Sequence, residues 1–219
     1  SRELTRIFDP MVNAVHNRGG FIANFMGDAF TAVFPDDEGS IHRAIDAANE
    51  ITNWFKEHGV SKTRHGELEF GVKIGAEHGE IEWGIPHDPG ADARHWYFRG
   101  PAVDGASAAE GSAERGQVVL GENVAGHPDK EKKGGKVTPT EAVHDKDALN
   151  RFFHHLVIEA GERAELRHVV SLFLQFNGAD DHATVEKVFH ALLAGTQRHG
   201  GTINKIDFGD KGFTALVFF

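Results

Sequence analysis

The chain has 219 residues, no cysteine and a formal net charge of −10 at pH 7, with 40% hydrophobic and 26% charged residues. That balance fits a globular protein. It excludes a disulfide scaffold or a zinc–thiolate site, and it sets the chain against general nucleic-acid binding, because the phosphate backbone would be repelled. No apolar run approaches the roughly 20 residues a membrane helix needs. Residues 1–6 resemble neither a signal nor a transit peptide. The expected location is cytoplasmic, with neither membrane nor nucleic acid as a partner. Fifteen histidines make the charge pH-sensitive near neutrality.

Leu4, Ile7, Phe8, Met11, Val12 and Val15 recur at helical spacing, and Gly19 is a natural stop. Residues 19–34 then read as strand, tight Gly27-Asp28 turn and strand, a β-hairpin with one carboxylate at its tip. Asp36, Asp37 and Ser40 offer caps for a second helix with the stripe Ile41, Ala44, Ile45, Ala48, Ile51 and Phe55, ended by Gly59. Leu68, Phe70, Val72 and Ile74 alternate as a strand, and Glu80–Trp83 is its expected partner across a His78-Gly79 turn. Residues 86–94, with two prolines, read as a polar loop. Trp96–Phe98 reads as a short strand. Pro101 opens an alanine-rich helix to about Ala113, and Gln117–Leu120 is a further strand. The order predicts an α+β fold with helices on one sheet face.

Residues 127–140 are rich in Lys, Gly and Pro and read as a loop, with Lys130–Lys136 a solvated face. Residues 145–160 suggest a connecting helix, and His154-His155 is read as a surface or interface pair rather than a metal site, since adjacent helical residues point about 100° apart and cannot readily chelate together. Arg167–Phe176 is strand-like. Asp180 or Asp181 caps a helix with Val185, Val188, Phe189, Leu192 and Leu193 on one face.

The hairpin motif then returns. Gly200-Gly201-Thr202-Ile203 through Gly209-Asp210 to Phe213-Thr214-Ala215 repeats the double glycine, the isoleucine two residues on, the Gly-Asp turn and Phe-Thr-Ala. A supersecondary unit present twice predicts a duplicated domain. The expected organisation is a first domain at 1–126, a linker at 127–166 and a second domain at 167–219. Gln175 lies 25 residues before Gly200, and the same offset from Gly19 falls before Ser1. The chain is therefore expected to be an internal fragment, with both copies truncated.

Asn24-Phe25-Met26-Gly27-Asp28-Ala29-Phe30-Thr31-Ala32-Val33-Phe34 resembles the metal-binding hairpin of class III nucleotidyl cyclase catalytic domains. Val72–Ile81 is similar to that family's Ile-Gly-Ile-His-Thr-Gly strand and turn, and Phe98–Ala106 to its Gly-Asp-Thr-Val-Asn-Leu-Ala helix start. The nearest variety is the tandem soluble adenylyl cyclase type. The resemblance implies a ferredoxin-like cyclase homology fold, antiparallel-rich and duplicated in tandem. It implies an adenylate cyclase that converts ATP to cyclic AMP and pyrophosphate where two unlike cyclase domains pair, with Mg²⁺ (or Mn²⁺) as cofactor.

The resemblance places Asp28 as a metal ligand and catalytic residue, Phe25 and Gly27 beside it at the nucleotide, and Lys205 at the adenine ring. Asp28 also fits a plain turn aspartate, and Lys205 a solvated lysine on a hairpin edge. Gln175 stands where the family's first metal aspartate would be, and Asp104 and Ala108 stand at its transition-state Asn and Arg positions. Asn24 and Ser107 replace the two cations of bicarbonate-regulated relatives. These departures keep open an inactive, cyclase-like nucleotide-binding or regulatory module, and they predict that the fragment alone is inactive. The Gly-Gly-Asp/Glu-Glu-Phe signature of the diguanylate-cyclase fold is not present.

Overall fold

The computed structural model describes residues 2–63, 66–133, 137–141, 145–160, 168–209 and 212–219, without the side chains of Arg2, Thr63, His155, Leu156 and Ala160. In chain order the elements begin with α1 (Arg2–His16), β1 (Phe21–Met26), β2 (Ala29–Val33), α2 (Ser40–His58), β3 (Val60–Thr63), β4 (Gly66–Glu69) and β5 (Ile74–Ala76). Next come β6 (Glu82–Gly84), β7 (His87–Asp88), β8 (Ala93–Arg94), β9 (Tyr97–Arg99), α3 (Pro101–Ser112), β10 (Val118–Leu120) and α4 (Glu122–Ala125). The last are α5 (Lys146–Phe152), α6 (His155–Ala160), β11 (Ser171–Phe176), α7 (His182–Arg198), β12 (Thr202–Gly209) and β13 (Gly212–Phe218). The fold is mixed α and β, with mostly antiparallel strand pairs. No described helix is long and apolar enough to cross a membrane.

The chain divides into two compact units. One holds residues 2–81 and 100–142, the other 82–99 and 143–219. This division differs from the expected one at residues 82–99, which group with the C-terminal elements.

In the first unit, α1 and α2 bury Ile7, Met11, Ala14, Val15, Ile51 and Phe55 against Ile22, Phe30, Ala32 and Phe34 of the β1–β2 hairpin. Removal of such apolar surface from water is the main stabilising term. The alternation expected to give one strand over 68–74 is divided. Leu68 pairs antiparallel with Ser61 in β4–β3, and Ile74 belongs to β5. The backbone between them bonds elsewhere, Phe70 N–H to Gly59 O and Gly116 N–H to Val72 O. Nor does β5 pair with 80–83: its neighbour is β10, in parallel, with α3 as the crossover. Within the expected linker, Thr140 returns to the start of the hairpin, where its hydroxyl donates to Gly20 O at 2.7 Å and its N–H to His16 O at 3.0 Å. Lys132 of the expected solvated face pairs with Glu38 at 3.3 Å.

In the second unit, β11, β13 and β12 form a three-stranded antiparallel sheet in that order. Phe213, Ala215 and Val217 of β13 and Ile203 and Ile206 of β12 point into a core closed by Val185, Phe189 and Leu193 of α7. Asp181 caps α7 by accepting from Thr184 N–H at 2.9 Å and the Thr184 hydroxyl at 2.7 Å. The expected helix over 145–160 is broken into α5 and α6, with Phe153 extended between them. The expected loop over 86–94 contains β7 and β8, and β6 pairs with β9, so residues 82–99 form one two-stranded ribbon. Asp88 Oδ1 accepts Ala91 N–H at 2.8 Å, and Asp92 sits at φ 47°, which reverses the chain at the ribbon's tip.

Candidate functional site

The two copies of the hairpin are built alike from their first residue. Each preceding helix ends with two glycines whose N–H groups fold back onto it. Gly19 bonds His16 O and Gly20 bonds Val15 O; Gly200 bonds Gln197 O and Gly201 bonds Thr196 O. The first glycine of each pair is left-handed, φ 75° and 72°, the geometry of a Schellman stop. Three residues past the second glycine, each hairpin carries a bulge, between Ile22 and Asn24 and between Ile203 and Lys205.

The turns differ. Met26 pairs with Ala29 around Gly27-Asp28, with Gly27 at φ 68° and Asp28 in the ordinary region, a type II′ arrangement that requires glycine first. In the second copy pairing runs to Gly209–Gly212, and Asp210, the expected counterpart turn residue, lies outside the described residues.

The turn brings Phe25, Gly27 and Asp28 together. Asp28 is exposed. Phe25 is 49% exposed and is held edge-on between Phe8 and Phe30, with both centroid distances 5.8 Å. The carboxylate therefore faces solvent at the end of the hairpin, and among the described residues nothing lies within 4 Å of where a Cβ on Gly27 would stand. Among the described residues no group of three or more His, Asp or Glu side chains is arranged to hold a metal ion.

Lys205 lies in the other unit, on the bulged strand β12, with Nζ 2.8 Å from Asp207 Oδ2. After the bulge, Ile206 points inward while Lys205 and Asp207 share the outer face of the sheet with Gln175, Thr214 and Leu216. Asp104 and Ala108 are exposed on α3, as is Ser107.

Two further groupings escape sequence reasoning, because their members are far apart in the chain. The first unit has a pocket of about 500 Å³ lined by His78, Glu122, Asn123 and His127. The imidazoles of His78 and His127 meet edge to face at 4.8 Å, and His78 Nε2 is 3.7 Å from Asp36 Oδ1. In the second unit, Tyr97 is 2% exposed and its phenol is pushed up to about 12, first by burial, then by the Glu82 carboxylate. His95 beside it packs on Phe189 at 5.6 Å, and burial pushes its imidazole down to about 4 against an opposing backbone hydrogen bond at Ile203.

No protein-family model matches the chain, and no curated protein matches it. It is similar over part of its length to the dimeric guanylyl cyclase domain of the RhoGC fusion protein from the aquatic fungus Blastocladiella emersonii. That likeness has 25% identity and a TM-score of 0.46 over 55% of this chain and 65% of that one. It is also similar to the catalytic core of a rhodopsin-guanylyl cyclase with converted specificity, in complex with ATPalphaS. There the identity is 23% and the TM-score 0.46, over 55% of this chain and 64% of that one. The chain thus spans less than two thirds of the length of either structure.

Proposed function

We propose that the chain is part of a nucleotidyl cyclase, acting on ATP where two unlike cyclase-type domains pair. The observation that carries this reading is Asp28. It is a solvent-facing carboxylate on the type II′ turn of a hairpin whose residues 24–34 match the cyclase metal-binding motif.

The donor set bears on the metal. One exposed carboxylate does not hold a resident divalent ion. It fits a Mg²⁺ or Mn²⁺ that arrives on a triphosphate and keeps most of its waters, since Mg²⁺ is commonly bound through one or two carboxylates plus substrate phosphates. Such an ion supplies charge neutralisation at the phosphates and lowers the pKa of the attacking hydroxyl. The reaction is in-line attack of the ribose 3′-oxygen on the α-phosphorus, breaking the bond to the β-phosphate oxygen. The hydroxyl proton passes to solvent and pyrophosphate leaves. Asp28 would orient the metal–triphosphate, with Phe25 beside it. Lys205, steadied by Asp207, donates to a ring nitrogen of the base.

The test is cyclic AMP and cyclic GMP formation by the full-length protein with Mg²⁺ and with Mn²⁺, beside Asp28→Ala, with binding of a fluorescent ATP analogue measured in parallel. Product that falls by about 10²-fold or more in the variant, as expected for a lost charge-stabilising group, supports the reading. A second reading, a nucleotide-binding module without catalysis, is favoured by Ala108 and Gln175, which supply neither phosphate-stabilising charge nor a metal-binding carboxylate. Nucleotide binding with no product under any condition selects it.

A further inference from the structure

The 82–99 ribbon is pinned to its unit at several places. At its base, Arg99 Nη2 donates to both oxygens of Glu82 at 2.9 and 2.7 Å and to Asp180 O at 2.7 Å, and Nη1 donates to Ala179 O at 3.2 Å. Farther along, the Tyr97 hydroxyl donates to Glu82 Oε1 at 3.2 Å and lies 3.1 Å from His182 Nδ1. A phenol has one hydrogen. With that hydrogen on Glu82, His182 must donate from Nδ1. Its Nε2 then faces Glu186 Oε1 at 3.6 Å. Toward the tip, the same Glu186 oxygen is 3.7 Å from His87 Nδ1 on β7. Glu186 thus stands between an imidazole of its own helix and one of the ribbon, and each pair is ionic only when its imidazole is protonated.

We infer that Glu186 is a proton-gated clasp for the ribbon: protonation of His87 draws residues 82–99 onto α7, and deprotonation loosens them. Most of the other charged neighbours have partners of their own. Across the ladder from His87 stands Arg94, 3.9 Å from Asp92, which also pairs with Arg151 of α5 at 3.2 Å. Asp181 is taken by Thr184. His190 Nε2 donates to the His87 carbonyl at 2.8 Å, Lys187 follows Glu186 in sequence, and His95 packs on Phe189 between the ribbon and α7. The chain neighbours of the ribbon, residues 81 and 100, belong to the other unit.

His87, His182 and Glu186 remain partly open to solvent, with side chains 49%, 44% and 33% exposed. The His87–Glu186 pair at such exposure is worth about a two- to fivefold change in the docked population. Hydrogen exchange of the 82–99 peptide, corrected for intrinsic rates, measures this at pH 6.0 and 7.5. The pH 6.0 to pH 7.5 protection ratio is expected to be about two- to fivefold higher in the wild type than in Glu186→Gln, which keeps the Arg99 and Tyr97 anchors. His87→Gln, on an exposed strand, is expected to lower the ratio as Glu186→Gln does, while His95→Gln raises it, because buried His95 takes up a proton when the ribbon opens. A wild-type ratio no higher than that of Glu186→Gln or of His87→Gln overturns the inference.

Discussion

Gly20 lies beneath the ring of Phe34, so that a Cβ at position 20 would stand 2.8 Å from Phe34 Cε1 and 2.9 Å from Val15 Cγ1; Gly201 stands in the same relation to Phe219, at 2.5 Å. In each copy the second glycine lets the last aromatic of the hairpin close over the end of the preceding helix. Gly20→Ala and Gly201→Ala should each destabilise by about 1–3 kcal/mol, the usual cost of overpacking. Thermal denaturation checks this, and because the two positions lie in different units, the effects should add in the double variant.

The double glycine and its hairpin were legible in sequence as a repeat, because the geometry is local: helix stop and hairpin follow within sixteen residues in the first copy and twenty in the second. The Gly27-Asp28 turn was legible for the same reason. The ribbon was not. Its tip carries Pro86 and Pro89, which argue against strand, and β6 finds its partner in β9 only after an intervening turn. The parallel β5–β10 pair was hidden by α3 between its strands. Tyr97 and His182 are 85 positions apart, and no periodicity links them. Asp28 and Lys205 were singled out by motif, and their exposure and partners come from the structure alone.

The turn itself separates structural from chemical roles. Gly27 sits at φ 68°, where any side chain costs about 1–2 kcal/mol, so Gly27→Ala should lower the melting temperature. Asp28→Asn is exposed and in ordinary backbone, so it should stay within about 0.5 kcal/mol of wild type. Measured together by thermal melts, the two variants should give unequal shifts from neighbouring positions. A destabilised Asp28→Asn would mean that the carboxylate serves the fold.

Arg99 is the ribbon's firmest anchor. Its guanidinium also lies over the Phe208 ring at 4.8 Å, and its side chain is only 16% exposed. A lysine cannot reproduce the fork that grips both Glu82 oxygens and two carbonyls. Arg99→Lys should therefore cost about 1–3 kcal/mol and raise hydrogen exchange in residues 82–99 while leaving β1–β2 unchanged. Equal protection in the variant would refute the anchoring role.

His95 sets an acid limit on the same region. Its imidazole is neutral in the fold with a pKa of about 4, against an ordinary value of 6.5. The unfolded chain therefore binds a proton that the folded chain refuses over this range, and stability must rise with pH across it. The contribution is complete above about pH 6.5 and is lost as the pH falls toward 4, by roughly 3 kcal/mol at most. His95→Gln retains a donor near Ile203 and removes the titration. Urea unfolding of the wild type should show a midpoint that falls between pH 6.5 and 4, and the variant a distinctly shallower decline. Parallel profiles would show that His95 titrates alike in the folded and unfolded chains and that acid sensitivity arises elsewhere.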